Sequence, residues 1–262
     1  MSGPKSEYSW CTPGGEPVSP LGNGGAFGGK LATEVAEVAR ELSTRHGRAV
    51  RVLMSREDVV RLGPKRPPIA AGIDADGRGV VRIARTTGIA DAIRSVAPGL
   101  VVDEVDVRGP ATSAAVRAAG WAEAAVLRAS LRPAGPDTVS SPEGAHTTVS
   151  IDEAGAVHVS VDCGDPLDRA VLRSYCIGAA HMALGWVRSE GISVDPDGDP
   201  QDLTIRSFGV LRAVDTPPIH VDVVESDRAA VNGSDAVFAA TAAAVWRHAG
   251  FPPAWPCARG GG

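Results

Sequence analysis

Apolar residues recur at helical spacing from Leu31, where Val35, Val38, Ala39 and Leu42 alternate with Glu34, Glu37, Arg40 and Glu41. That period predicts an amphipathic helix stopping near Gly47. Ala49–Met54 reads as a buried strand and Arg56–Leu62 as a short helix. Three strand-like runs follow at Ile69–Ile73, Val80–Thr86 and Leu100–Val107, the first two joined by a hairpin signal at Asp76-Gly77. Thr112–Leu131 is Ala-rich, free of proline, and predicts a helix. Thr147–Ile151 and Val157–Val161 alternate in polarity around Glu153-Ala-Gly155, a second hairpin. A long helix is expected from Pro166 to Glu190, with Gly178 and Gly185 on one face for close helix packing. Asp195-Pro-Asp-Gly198 reads as a turn, Ile219–Val224 as a strand, and Asp235–Ala249 as an Ala-rich helix.

Strands and helices mixed in this way imply an α+β (mixed α/β) fold. Residues 1–23 are rich in Gly, Pro and Ser and read as an irregular arm. A first lobe is expected over 24–132, a linker over 133–144 carrying Pro133, Gly135, Pro136 and Pro142, and a second lobe over 145–262. No internal repeat of fixed period is visible.

Among the 262 residues, 44% are hydrophobic but only 4% aromatic, so the core is built from small side chains. The net charge of −5 and the lack of a basic cluster beyond Lys65-Arg66 argue against nucleic acid as partner. Cys11, Cys163, Cys176 and Cys257 show no C-x-x-C spacing, which excludes a zinc ribbon or a whole iron–sulfur ligand set. Met-Ser-Gly-Pro-Lys lacks an apolar leader core, and the most apolar run, Ile177–Val187, is too short for a bilayer. A cytoplasmic chain with free thiols and no membrane contact is the expectation.

Gly22-Asn-Gly-Gly-Ala-Phe-Gly-Gly-Lys30 is the most distinctive string. So little side chain lets backbone N–H groups approach an anion or a flat ligand, at the start of a helix. Read as a phosphate loop for a nucleotide, Gly24–Lys30 fits G-x-x-x-x-G-K, but Leu31 stands where Ser or Thr holds magnesium. Gly24-Gly-Ala-Phe-Gly-Gly-Lys30 also resembles the G-G-x-F-G-G-K segment of the molybdopterin-binding large subunits of molybdenum hydroxylases, the xanthine dehydrogenase and aldehyde oxidase family. Val50–Asp58 is similar to the strand and acidic helix that follow in that family, and Gly109–Gly120, with Arg117, looks like its F-R-G-x-G segment. Asp162-Cys-Gly-Asp-Pro166 resembles its D-x-G-x-x-x-N-P turn, and Ile177–Gly185, with His181 and Met182, its G-A-x-x-Q-G-L-G helix. Leu203–Gly209, Thr216–Val221 and Asn232-Gly233 keep the same order.

The resemblance implies a shortened molybdenum-cofactor domain and an oxidoreductase that hydroxylates an aldehyde or N-heterocycle with oxygen from water. It implies a molybdenum–molybdopterin cofactor held by Gly24, Gly25, Ala26, Phe27, Gly28, Gly29, Arg117 and Gly233. Arg117 is expected to face the oxygen ligands, and no residue is assigned as a metal ligand. Ser234 and Asp235 stand where the family has its glutamate base; a serine hydroxyl has no useful basicity, and either residue could instead cap the helix. No flavin motif or cluster motif is present, so partner chains carrying [2Fe–2S] clusters and FAD, or the missing large-subunit domains, are implied. A cofactor-free scaffold or assembly relative of the same fold is the alternative.

Overall fold

The computed structural model describes residues 8–19, 34–132, 135–201 and 203–257. It is a mixed α/β structure with several small sheets, and its described residues fall into two compact units. One takes the described parts of Met1–Arg66, Val107–Val116 and Ile192–Ser207; the other takes those of Pro67–Asp106, Arg117–Gly191 and Phe208–Gly262.

In the first unit, strand β1 (Tyr8–Cys11) pairs antiparallel with β2 (Val50–Leu53), with Tyr8 opposite Leu53. Helix α1 (Glu34–His46) buries Val35, Ala39 and Ser43 beside them. Val38, expected on the core face, is exposed, and β2 alternates half-buried with exposed positions where a buried strand was expected. A ribbon of only two strands cannot cover both faces. Helix α2 (Arg56–Leu62) forms where expected, and the Ser55 hydroxyl accepts from Asp58 N at 3.0 Å to cap it. In the turn at Asp195, the Gly198 N–H donates to Asp195 O at 3.0 Å.

The second unit holds two sheets of related plan. In one, β3 (Ile69–Ile73) and β4 (Gly79–Ala84) form the expected hairpin; helix α3 (Ile89–Val96) then crosses to β5 (Leu100–Val105), parallel to β4. The other runs in the order β6 (Asp137–Ser140), β7 (His146–Ile151), β8 (Val157–Asp162), β9 (Ile219–Val223). There β7 and β8 form the hairpin, and α5 (Arg169–Arg188) crosses to β9, parallel to β8. Between the two sheets in sequence lies α4 (Trp121–Ser130), and α7 (Gly233–His248) follows β9; the one-turn α6 (Ile205–Phe208) falls where the chain passes from the first unit to the second. Helices α4, α7 and α5 lie side by side on one face of the four-stranded sheet. Val157, Val159 and Val161 of β8 point into that layer, and His158, Ser160 and Asp162 point away from it.

Four expectations change. The helix expected over Thr112–Leu131 begins only at Trp121, because Ala118 (φ 56°) and Gly120 (φ 85°) adopt left-handed backbone that ends any earlier helical run. The stretch expected as linker contains β6. Helix α3 went unread, since it is a single short element behind Thr86-Thr-Gly88. At neither helix glycine is another helix the nearest neighbour: Gly178 faces open space, and Gly185 makes room for Glu190, whose carboxylate lies where a Cβ would be.

Two polar groups bear on the stability of this layer. The Arg247 guanidinium, at the end of α7, donates to both Asp137 carboxylate oxygens (2.8 and 3.0 Å), to Ala129 O (2.7 Å) and to Arg132 O (2.8 Å). It joins α7 to β6 and to the end of α4, and the Asp137 side chain is only 2% exposed. Asp137→Asn leaves that cation without its counter-charge and is expected to lower stability by about 3 kcal/mol, measured by urea unfolding. Glu190 is the second group, its carboxyl pushed up by burial to about 7. An unfolded glutamate titrates near 4.3, so the folded state holds the extra proton. The contribution is complete below the unfolded value and is lost as pH rises through about 7. Glu190→Gln is therefore expected to gain stability over the natural protein at pH 8, with the difference vanishing near pH 4, in paired unfolding curves.

Candidate cofactor-binding site

Of the residues assigned to the cofactor, Gly24, Gly25, Ala26, Phe27, Gly28 and Gly29 lie outside the described residues, as does Lys30. The remaining two, Arg117 and Gly233, are brought together with Ser234 and Asp235, the residues at the position of the base. Arg117 precedes α4 on the irregular segment, and the left-handed Ala118 follows it at once. Its Nη1 donates to Asp235 Oδ1 at 3.1 Å and to the backbone and side-chain oxygens of Ser234, each at 3.4 Å. Both side chains of the Arg117–Asp235 pair are 23% exposed, so the pair is half-sheltered and not a surface contact. The guanidinium lies 6.0 Å from the centre of the Phe238 ring, one turn along α7, and Phe238 stacks on Trp186 of α5 at 4.9 Å.

The start of α7 explains the placement of Ser234 and Asp235. Neither is its cap. Asn232 is, its Oδ1 accepting from Ser234 N (3.1 Å), Asp235 N (3.4 Å) and the Ser234 hydroxyl (2.9 Å). Both residues thus sit in the first turn. The signal was legible, since asparagine is among the strongest capping residues and stands directly before Gly233-Ser-Asp.

Gly233 has a packing role of its own. A Cβ there would stand 2.9 Å from both Cβ and Sγ of Cys163, so the glycine lets α7 seat against the end of β8. Cys163 and Cys176 are buried, and desolvation raises both thiols, Cys176 to about 12. They remain protonated thiols and are poor nucleophiles. His181 is packed, its Nε2 3.1 Å from Leu211 O. Asp162, in the expected turn, pairs with Arg228 at 2.7 Å, which holds its carboxyl below the usual range.

The described set can therefore orient a guanidinium at the N-terminus of a long helix, where positive potential favours oxygen anions. It does not present a free base: the Ser234 hydroxyl donates to Asn232, and Asp235 is engaged by Arg117. Among the described residues no group of three His, Cys, Asp or Glu is placed to hold a metal ion, and no helix is long and apolar enough to cross a membrane.

No family model and no curated protein matches the chain. Solved structures do align with it. A Cu,Mo-CO dehydrogenase in its carbon-monoxide-reduced state aligns at 11% identity and a TM-score of 0.33, over 68% of this chain and 34% of that one. A reconstituted CO dehydrogenase from Oligotropha carboxidovorans aligns at 12% and 0.35, over 69% and 33%. Quinoline 2-oxidoreductase from Pseudomonas putida 86 aligns at 14% and 0.32, over 72% and 37%. The chain spans about a third of the length of these structures.

Gly233→Ala is expected to lower stability by about 1–3 kcal/mol by forcing Cys163 aside. Adding Cys163→Ala should recover part of the loss in thermal melts, which marks the position as packing whatever ligand the site takes.

Proposed function

We propose that the chain is a lobe of a molybdenum-hydroxylase-type oxidoreductase that helps to enclose a molybdenum–molybdopterin cofactor. One observation carries the reading: Arg117 and the Ser234–Asp235 pair, 117 and 118 residues apart, meet at hydrogen-bonding distance. The ordered motifs of the sequence assign these two segments to one cofactor, and a chance likeness of scattered strings gives no reason for them to touch.

Arg117 fits such a group. Its guanidinium is fixed by Asp235, backed by Phe238, and set at a helix N-terminus, an environment suited to anionic oxygen. Gly233 is adjacent, and the resemblance assigns the glycine-rich segment 24–29, outside the described residues, to the same cofactor. The cofactor, when bound, supplies two-electron redox chemistry. This chain's own contribution is binding and orientation, because Ser234 and Asp235 are both engaged and neither stands as the base that hydroxylation needs. Partner chains, or further large-subunit domains, then provide the base, the [2Fe–2S] clusters and the flavin that take the electrons onward.

The chain is to be purified alone and together with the products of neighbouring genes, and assayed for molybdenum by mass spectrometry and for pterin by fluorescence after oxidation. Near-stoichiometric molybdenum and pterin are expected in the co-purified preparation. Arg117→Ala should reduce both severalfold, while Arg94→Ala, on an exposed helix face, leaves them unchanged. Neither molybdenum nor pterin in either preparation sinks the reading in favour of a cofactor-free relative.

A further inference from the structure

Strand β9 ends its sheet, and among the described residues no strand pairs beyond it. Its ladder to β8 runs from Val157 N to Pro218 O (2.9 Å) through to Val224 N and Val161 O (2.9 Å). In a parallel ladder alternate residues face the partner, so the even-numbered peptides of β9 serve β8. The N–H and C=O groups of Ile219, Val221 and Val223 point outward from the edge. An open groove of about 580 Å³ runs beside them, bounded by Val221–Val223 on one side and by Arg169, Ala170, Arg173, Ser174 and Ile177 of α5 on the other. Ala170, Arg173, Ser174 and Ile177 recur at i, i+3, i+4 and i+7 and are exposed, a stripe whose charges are Arg173 and the neighbouring Arg169. Natural sheets guard such an edge with charges, proline or a covering element.

We infer that β9 is the dimerisation edge of this protein, and that a second copy adds its own β9 antiparallel with Val221 on the two-fold axis. The sequence Ile219-His-Val-Asp-Val223 is self-complementary in that register. Val221 meets its own copy, and Ile219 meets Val223. His220 meets Asp222, twice by symmetry. Because the odd-numbered peptides make the new hydrogen bonds, His220 and Asp222 fall in the non-hydrogen-bonded pairs, where facing side chains are closest. The imidazole and carboxylate are matched as hydrogen-bonding partners and, with the imidazole protonated, as charges. Both side chains project from the exposed sheet face, and the His220 ring stacks on His158 of β8 at 5.0 Å, which holds it upright. On the opposite face the same symmetry brings the α5 stripe alongside its copy, with Ala170 and Ser174 small and the exposed Arg169 and Arg173 kept in water. Arg169 donates to Val223 O, which keeps a second lone pair for the incoming strand. The surface is isologous, as a closed two-fold dimer requires.

Analytical ultracentrifugation of the full chain, together with engineered cross-links, tests this. The natural protein is expected to sediment as a dimer. His220→Asp places carboxylates opposite each other twice and should raise the dissociation constant about tenfold or more. The swapped pair His220→Asp/Asp222→His should restore the dimer. His220→Cys/Asp222→Cys should form a covalent dimer on mild oxidation, and neither single cysteine should. These side chains are solvent-facing, and circular dichroism confirms that each variant keeps its fold. A monomer at every concentration, a dimer indifferent to His220→Asp, a swapped variant that stays dissociated, or a double cysteine that does not cross-link overturns the proposal.

Discussion

The thinness of α7 is the constraint on which the second unit depends. Its buried surface is Gly233, six alanines, Thr241, Val237, Val245 and a single large residue, Phe238. A helix with so little side chain can be approached closely on several sides, and α4, α5 and the sheet all do so. The low aromatic content follows from the same choice. Close approach replaces bulk, so the apolar surface removed from water is spread over many small contacts. What fixes the register of such a smooth helix is polar and sits at its ends. Asn232 caps the start and Arg117 grips the first turn; at the far end Arg247 reaches Asp137 and the last carbonyls of α4. Five of the eleven aromatic residues, Trp186, Phe238, Trp246, Phe251 and Trp255, contact one another in series on and beside α7.

Strong periodicity was legible. Both hairpins, the helices α1, α2, α5 and α7 and the strand β9 lie where alternation or helical spacing put them, with ends displaced by a few residues. Composition misled where backbone conformation decided. The run Thr112–Gly120 is rich in alanine, which favours a helix, yet Ala118 and Gly120 take positive φ and fix Arg117 on an irregular segment. In β6, Asp-Thr-Val-Ser between prolines looks like linker, because a four-residue edge strand needs only Val139 inside and draws its stability from Arg247, far along the chain. No local pattern carries a partner more than a hundred residues away.

The candidate site divides in the same way. That Arg117 and Ser234–Asp235 belong together came only from the order of motifs, as neither segment has a spacing that points to the other. Gly233 shows the opposite case, where a motif position has a sufficient local reason to be glycine in the thiol of Cys163. A glycine in a cofactor motif is thus not by itself a cofactor contact. Arg117 likewise has a local role in holding the first turn of α7, so its tie to the cofactor rests on the order of motifs and not on its contacts alone.

The repeated plan of hairpin, crossover helix and parallel strand leaves an edge at β5 and another at β9, and the two are treated differently. Along β5, Asp103 pairs with Arg82 and Asp106 beyond its end pairs with Arg85, while the Arg85 guanidinium also reaches Glu104 O. Paired charges at an edge hold water and discourage another strand. Along β9 the exposed side chains are one histidine and one aspartate, symmetric about a valine, beside a helix stripe that carries Arg169 and Arg173 among alanine, serine and isoleucine. Charges thus flank both edges, but at β5 they pair with each other within the chain, whereas under the proposed pairing His220 and Asp222 of β9 find their partners on a second copy. The difference lies in the side chains, since the backbone plan is shared.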